Sequence, residues 1–92
     1  MKIVYTKNSQ RELKYIKDYI SKFNPENAKR FIKILKNSIE NIPNFPYKYR
    51  KSIYFDDENV RDMIFESYTI IYEIKNDTIL VLNIFNQNKE TK

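Results

Sequence analysis

The stretch "NVRDMIFESYTIIYEI", Asn59 to Ile74, decides the fold of this chain. It lacks glycine and proline, and β-branched and aromatic residues dominate it, so it reads as two successive strands, Arg61 to Glu66 and Tyr68 to Lys75. Tyr68 and Tyr72 are an even number apart and share one face of a strand. With Ile70 between them they read as sheet packing or its rim, not as a catalytic pair. Arg61 opens the first strand and has three readings. It is a solvated charge, a pin paired with Asp62, Glu66 or the acidic turn Asp56 to Glu58, or a working cation that offers two parallel donors to a phosphate or carboxylate.

Working outward, Asn76-Asp77 marks a tight hairpin without the usual glycine, leading into a strand from Thr78 to Phe85. Ile79 to Leu82 is apolar without alternation, which predicts a central strand covered on both faces. Asn86 to Lys92 is a polar tail expected to fray. Before Asn59, Asp56-Asp57-Glu58 is an acidic turn, and a solvated turn explains it better than a weak cation site. Ser52 to Phe55 reads as a short strand, and Asn44 to Lys51 as a loop carrying two prolines and the cluster Tyr47-Lys48-Tyr49-Arg50-Lys51.

The N-terminal half is helical. Lys2 to Tyr5 predicts a first strand, and Thr6 an N-cap with a helix from Lys7, in competition with a Ser9–Glu12 capping box. Leu13, Ile16, Tyr19, Ile20 and Phe23 recur at helical spacing and predict a core-facing stripe, opposite Lys14, Lys17, Asp18 and Lys22. Asn24-Pro25-Glu26 starts a second helix. Ala28, Phe31, Ile32, Leu35, Ile39 and Ile42 form its stripe, and Pro43 stops it. The short connection makes the two helices an antiparallel hairpin. The fold class is therefore α+β: an N-terminal strand, a helical hairpin, then an antiparallel meander, with both helices on one face of the sheet.

Composition bounds the function. The 92 residues suffice for one domain, 1–92, with a modest core, and 41% hydrophobic with 32% charged residues is a globular balance. No apolar run reaches the ~20 residues of a membrane span, and the N-terminus is too short and polar for a signal peptide, so a cytoplasmic location with no membrane partner is expected. There is no cysteine and no histidine. Disulfides, thiolate metal sites, imidazole zinc ligation and a histidine-based triad are thereby excluded, and no cofactor or metal is expected. The net charge of +5 favours anionic partners, although abundant lysine, asparagine and isoleucine without glycine is also what an AT-rich genome produces.

The anchors "ELKYIKDYI" (12–20), "NPENAKRFIKIL" (24–35), "IPNFP" (42–46), "VRDMIFESYTIIYEI" (60–74) and "TILVLNIF" (78–85), in this order, resemble the RelE/ParE superfamily of toxins of bacterial type II toxin–antitoxin modules. The resemblance implies one of two activities. RelE-like members resemble ribosome-dependent mRNA endonucleases, in which the RNA 2′-hydroxyl attacks the adjacent phosphate. ParE-like members resemble poisons of DNA gyrase with no catalytic residues of their own, and are associated with plasmid stabilisation. It also implies a cognate acidic antitoxin that adds a strand to a sheet edge, Lys2 to Tyr5 or Ser52 to Phe55, or lays a helix in a groove.

Phosphodiester cleavage needs a base, an acid and cations on the phosphate. RelE-like nucleases place an arginine with tyrosine or histidine at the end of the last strand. Here that strand ends Asn83-Ile84-Phe85-Asn86-Gln87-Asn88-Lys89, and no arginine, tyrosine or histidine follows Tyr72. The ParE-like reading is therefore preferred. The alternatives are a nuclease with an incomplete site, using Arg61, Lys48, Arg50 or Lys89, and a non-toxic remnant that keeps only antitoxin binding. For either target, gyrase or the ribosome with its mRNA, the expected contact surface is Tyr47, Lys48, Tyr49, Arg50, Lys51 and Arg61, where tyrosine can stack and cations can meet phosphate.

Overall fold

Strand turns into helix at Thr6. Its backbone is extended, and its Oγ1 accepts the Ser9 N–H at 3.0 Å, so it caps α1, Lys7–Ser21. The Ser9–Glu12 box does not form. Ser9 is buried and donates its hydroxyl to the Thr6 carbonyl at 2.9 Å, and Glu12 instead accepts the Ile84 N–H at 2.7 Å. Asn24 caps α2, Pro25–Glu40, in the same way, accepting the Asn27 N–H at 3.1 Å, with Pro25 at the first helical position. Each cap contributes about 1 kcal/mol by satisfying a donor the helix cannot. A 3-10 turn at Ile42–Asn44 then carries the chain away.

The computed structural model describes residues 1–86. β1 (Lys2–Tyr5), β2 (Arg50–Lys51), β3 (Val60–Phe65), β4 (Tyr68–Lys75) and β5 (Thr78–Asn86) form one sheet in the order β1-β5-β4-β3-β2. β2 to β5 pair antiparallel, and β1 lies parallel to β5. The helices cover one face. Ile16, Leu35 and Ile39 pack there on Met63, Ile70, Tyr72, Ile79, Val81 and Ile84. The pairing slips between Ile71↔Asn83 and Tyr72↔Val81, which leaves Leu82 as an extra residue. Its carbonyl accepts the Thr6 hydroxyl at 3.2 Å, so the bulge is fastened to the start of α1.

Four expectations are corrected. Tyr19 and Phe23 do not enter the core; they are 40% and 76% exposed, because α1 meets the sheet through Ile16 with Leu13 and Ile20. The second edge strand is Arg50–Lys51, so these two residues are not loop, and Ser52 to Phe55 is not strand. That segment lies over the face opposite the helices, where the Ser52 N–H reaches the Val60 carbonyl at 2.8 Å and the Tyr54 ring meets Phe85 edge-on at 5.5 Å. Ile79 to Leu82 does lie between two neighbours, but Leu80 and Leu82 are only half-buried. The strand buried on both faces is β4, through Thr69 and Ile71 as well as Ile70 and Tyr72.

Both hairpins turn without glycine. Glu66 (φ 56°) and Asn76 (φ 48°) hold left-handed backbone. Asparagine tolerates this region, whereas a glutamate there costs roughly 1–2 kcal/mol. Glu66→Gly is therefore expected to raise stability by about 1 kcal/mol after the added chain entropy of glycine. An unchanged or lower urea midpoint would show that the Glu66 side chain contributes more than its backbone costs.

Candidate functional site

Arg61 sits on the helix-covered face of β3, opposite Tyr72, and its side chain is only 14% exposed. Nε donates to the Glu58 carbonyl at 2.9 Å and Nη1 to the Tyr49 carbonyl at 3.1 Å and more distantly to that of Tyr47 at 3.5 Å. Nη2 pairs with Glu58 Oε1 at 3.4 Å, and the guanidinium lies over the Tyr47 ring at 4.8 Å. A residue with five fixed donors is spread over three backbone carbonyls, one carboxylate and one ring. Of the three readings, the geometry matches the pin, with Glu58 of the acidic turn as its carboxylate and neither Asp62 nor Glu66.

Tyr72 and Tyr47 complete the same tie. The Tyr72 hydroxyl donates to the Pro46 carbonyl, and the Tyr47 hydroxyl donates to Asn59 Oδ1. Tyr68 and Tyr72 are both buried on the core face, as their even spacing predicts. Burial pushes the Tyr72 hydroxyl well above the ordinary 10.0 of tyrosine; neighbouring Tyr49 pushes the same way, Arg61 opposes, and Asp62 adds a smaller push upward. Tyr72 therefore holds its proton through the whole physiological range and cannot act as a base.

That shift has a stability consequence. The folded state keeps the Tyr72 proton at a pH where the unfolded chain releases it, so the contribution is complete below pH ~10 and is lost as pH rises above it. Tyr72→Phe also removes the bond to Pro46, costing about 1–2 kcal/mol at pH 8. The deficit of Tyr72→Phe relative to the parent should shrink between pH 9 and 11 in urea titrations, by about 1.4 kcal/mol for each unit above the unfolded value. A deficit constant across that range would show that the hydroxyl is not buried in the folded chain.

Arg50 and Lys51 are tied to acids. Arg50 bonds Asp62 Oδ2 through Nε at 3.3 Å and Nη2 at 3.2 Å. The Asp62 side chain is fully buried; the same oxygen accepts the Ile53 N–H at 3.1 Å, and Oδ1 has no hydrogen-bond partner among the described residues. Lys51 reaches Asp56 at 3.4 Å and Glu58 at 3.6 Å. Lys48 lies over the Tyr49 ring at 5.4 Å and makes no ion pair among the described residues. Lys89 lies outside the described residues. The structure thus brings Tyr47, Tyr49, Lys51 and Arg61 together, seats Arg50 one strand position away on the opposite face, and leaves Lys48 at the rim. Sequence reasoning gave Asp62 only as a partner for Arg61, not for Arg50, and gave Asn59 no role. An acid between apolar strand positions, as in Val60-Arg61-Asp62-Met63, was the available signal for Asp62. Among the described residues no group of three or more acidic, cysteine or histidine side chains could hold a metal. No helix among them is long and apolar enough to cross a membrane. The arrangement can offer a cationic and aromatic surface.

The chain is similar in fold to a protein of the chromosomal ParDE toxin–antitoxin system of P. aeruginosa, with a TM-score of 0.76 at 18% identity over 94% of this chain and 95% of that one. It is also similar to the conserved hypothetical protein HP0894 of Helicobacter pylori, with a TM-score of 0.56 at 18% identity over 96% of each chain. No curated protein sequence matches it. The family model for the ParE toxin of the type II toxin–antitoxin system parDE matches residues 3–90, nearly the whole chain. The anchors that resembled the superfamily thus lie within one match, and the chain belongs to the ParE toxin family of type II toxin–antitoxin systems.

Proposed function

We propose that this chain is a toxin that inhibits DNA gyrase by binding, without chemistry of its own, and that a cognate acidic antitoxin neutralises it. The observation that carries this reading is the state of the basic–aromatic cluster. Arg61 is spent on backbone carbonyls, Arg50 and Lys51 are paired with acids, and the buried Tyr72 stays protonated. Such a surface recognises a partner by shape and charge and lacks the acid–base pair that RNA cleavage requires. Tyr47, Lys48, Tyr49, Arg50 and Lys51 form the proposed target-binding surface, and Arg61 is a positioning residue beneath it. The open edge of β1 is available for an antitoxin strand, and the charge of +5 favours an acidic partner.

The test uses purified protein with gyrase and supercoiled plasmid, and separately with programmed ribosomes. Inhibition of gyrase with intact transcripts is the expected result. Transcript cleavage in the ribosomal A site with gyrase unaffected would replace this reading by the nuclease one, and activity in neither assay by that of an antitoxin-binding remnant.

A further inference from the structure

The net charge is not spread over the molecule. Residues 7–40, the segment of the two helices, carry nine lysines and arginines against four aspartates and glutamates, and the rest of the chain carries eight of each. The helical hairpin therefore holds the whole +5. A genome that simply favours lysine gives no reason for this division.

Within the hairpin the cations are sorted as well. Lys29, Lys33 and Lys36, at i, i+4 and i+7, share one line along α2. Lys14 and Lys17 of α1 border, together with Lys36, a groove of about 660 Å³ between the two helices and β1. All five side chains are exposed. Lys17, Lys29, Lys33 and Lys36 make no ion pair among the described residues. The acids of the hairpin do not offset them. Asp18 pairs with Lys14 at 3.0 Å, Glu12 accepts the Ile84 N–H at 2.7 Å, and Glu26 and Glu40 stand at the two ends of α2.

The chemistry of this flank selects the ligand. All five cations are lysines, point charges on long stems. Protein interfaces are depleted in lysine and anchored by tyrosine, tryptophan and arginine. Lysines that neutralise phosphates are instead the basis of sequence-independent DNA binding. The spacing fits: Lys29 to Lys36 spans roughly 10 Å of helix, over which one DNA strand presents about three phosphates. The one ring lining the groove, Tyr5, is half-buried with its hydroxyl out of solvent, so no platform is offered to unpaired bases. We infer that the lysine flank of the helical hairpin binds the phosphate backbone of duplex DNA without sequence preference. A second copy of this chain would bring the same positive charge and be repelled.

The lysine flank borders β1, whereas Arg50 and Lys51 lie on β2 at the opposite edge of the sheet, roughly 19 Å away. It is therefore separate from the proposed target-binding surface. This inference goes beyond the gyrase reading and does not rest on it.

The test measures fluorescence anisotropy, without gyrase, on two duplexes of unrelated sequence, a thymidine oligonucleotide and polyglutamate. The two duplexes should bind equally well, and more tightly than either other probe. With five phosphates neutralised, duplex affinity should fall about 500-fold between roughly 50 and 200 mM salt. Lys29→Gln/Lys33→Gln/Lys36→Gln leaves two contacts and should reduce that fall to about tenfold. These side chains are exposed, so circular dichroism should be unchanged. In the isotope-labelled chain the duplex should shift the amides of 14–17 and 29–36 most. Absence of duplex binding, an unchanged salt dependence in the triple variant, tighter binding of the oligonucleotide or of polyglutamate, or shifts centred on Tyr47 to Lys51 would each overturn the inference. Duplex binding without gyrase inhibition removes the gyrase reading and leaves this one standing; gyrase inhibition without duplex binding does the reverse.

Discussion

Arg61→Ala is expected to destabilise the protein by about 3 kcal/mol, read as a lower urea midpoint and a melting temperature lower by about 15 °C. The estimate comes from the two well-made bonds, to the Glu58 and Tyr49 carbonyls, and the ring contact with Tyr47. Against the roughly 5–14 kcal/mol available to a chain of this size, that is a large fraction. The loss also acts on function. The guanidinium joins β3 to the segment 47–49, so its removal frees the proposed target-binding surface even in molecules that remain folded. Compared at equal folded fraction, Arg61→Ala should still inhibit gyrase more weakly than the parent. Arg61→Lys should recover less than half of the stability, because an ammonium cannot reach the Glu58 and Tyr49 carbonyls and lie over a ring together. A loss of less than about 1 kcal/mol with inhibition abolished would instead identify Arg61 as a direct contact to the target.

Removal of the Arg50 charge should leave Asp62 as a fully buried carboxylate held only by the Ile53 N–H. Arg50→Met is expected to cost about 2–3 kcal/mol, below the usual figure for a buried pair because the Arg50 side chain is 46% exposed. Arg50→Met/Asp62→Asn should recover most of it, since an amide can still accept from Ile53 without carrying a charge. The double-mutant cycle measures the coupling directly. Equal stability of the single and double variants would mean that solvent already reaches Asp62. The pair matters for the surface as well, because Asp62 anchors both Arg50 and the segment from Ser52 that covers the open face.

Much of the fold was readable because its causes are local. Thr6 and Asn24 cap the helices through side chains that reach three residues ahead. Tyr68 to Lys75 shows strand chemistry from end to end. The exposed Tyr19 and Phe23 mark where such reading fails. Their spacing is that of a core stripe, but hydrophobic periodicity reports only which residues share a face, not how far the sheet extends beneath it. Ser52 to Phe55 fails for a related reason: its composition suits a strand, yet the neighbouring Arg50–Lys51 takes the place beside β3.

From its residues alone this chain determined the order of its elements, the faces of its helices and β4, the absence of histidine chemistry and the family it resembles. The tertiary structure decided the partners of its charges. Arg61 might have met any of several acids close in sequence. The β3–β4 register placed it over Tyr72 and beside the returning segment 47–49, where carbonyls outnumber carboxylates. Asp62, one residue along, points to the opposite face and receives Arg50. A strand turns successive side chains to opposite sides, so two adjacent charges acquire unrelated surroundings that only long-range pairing specifies.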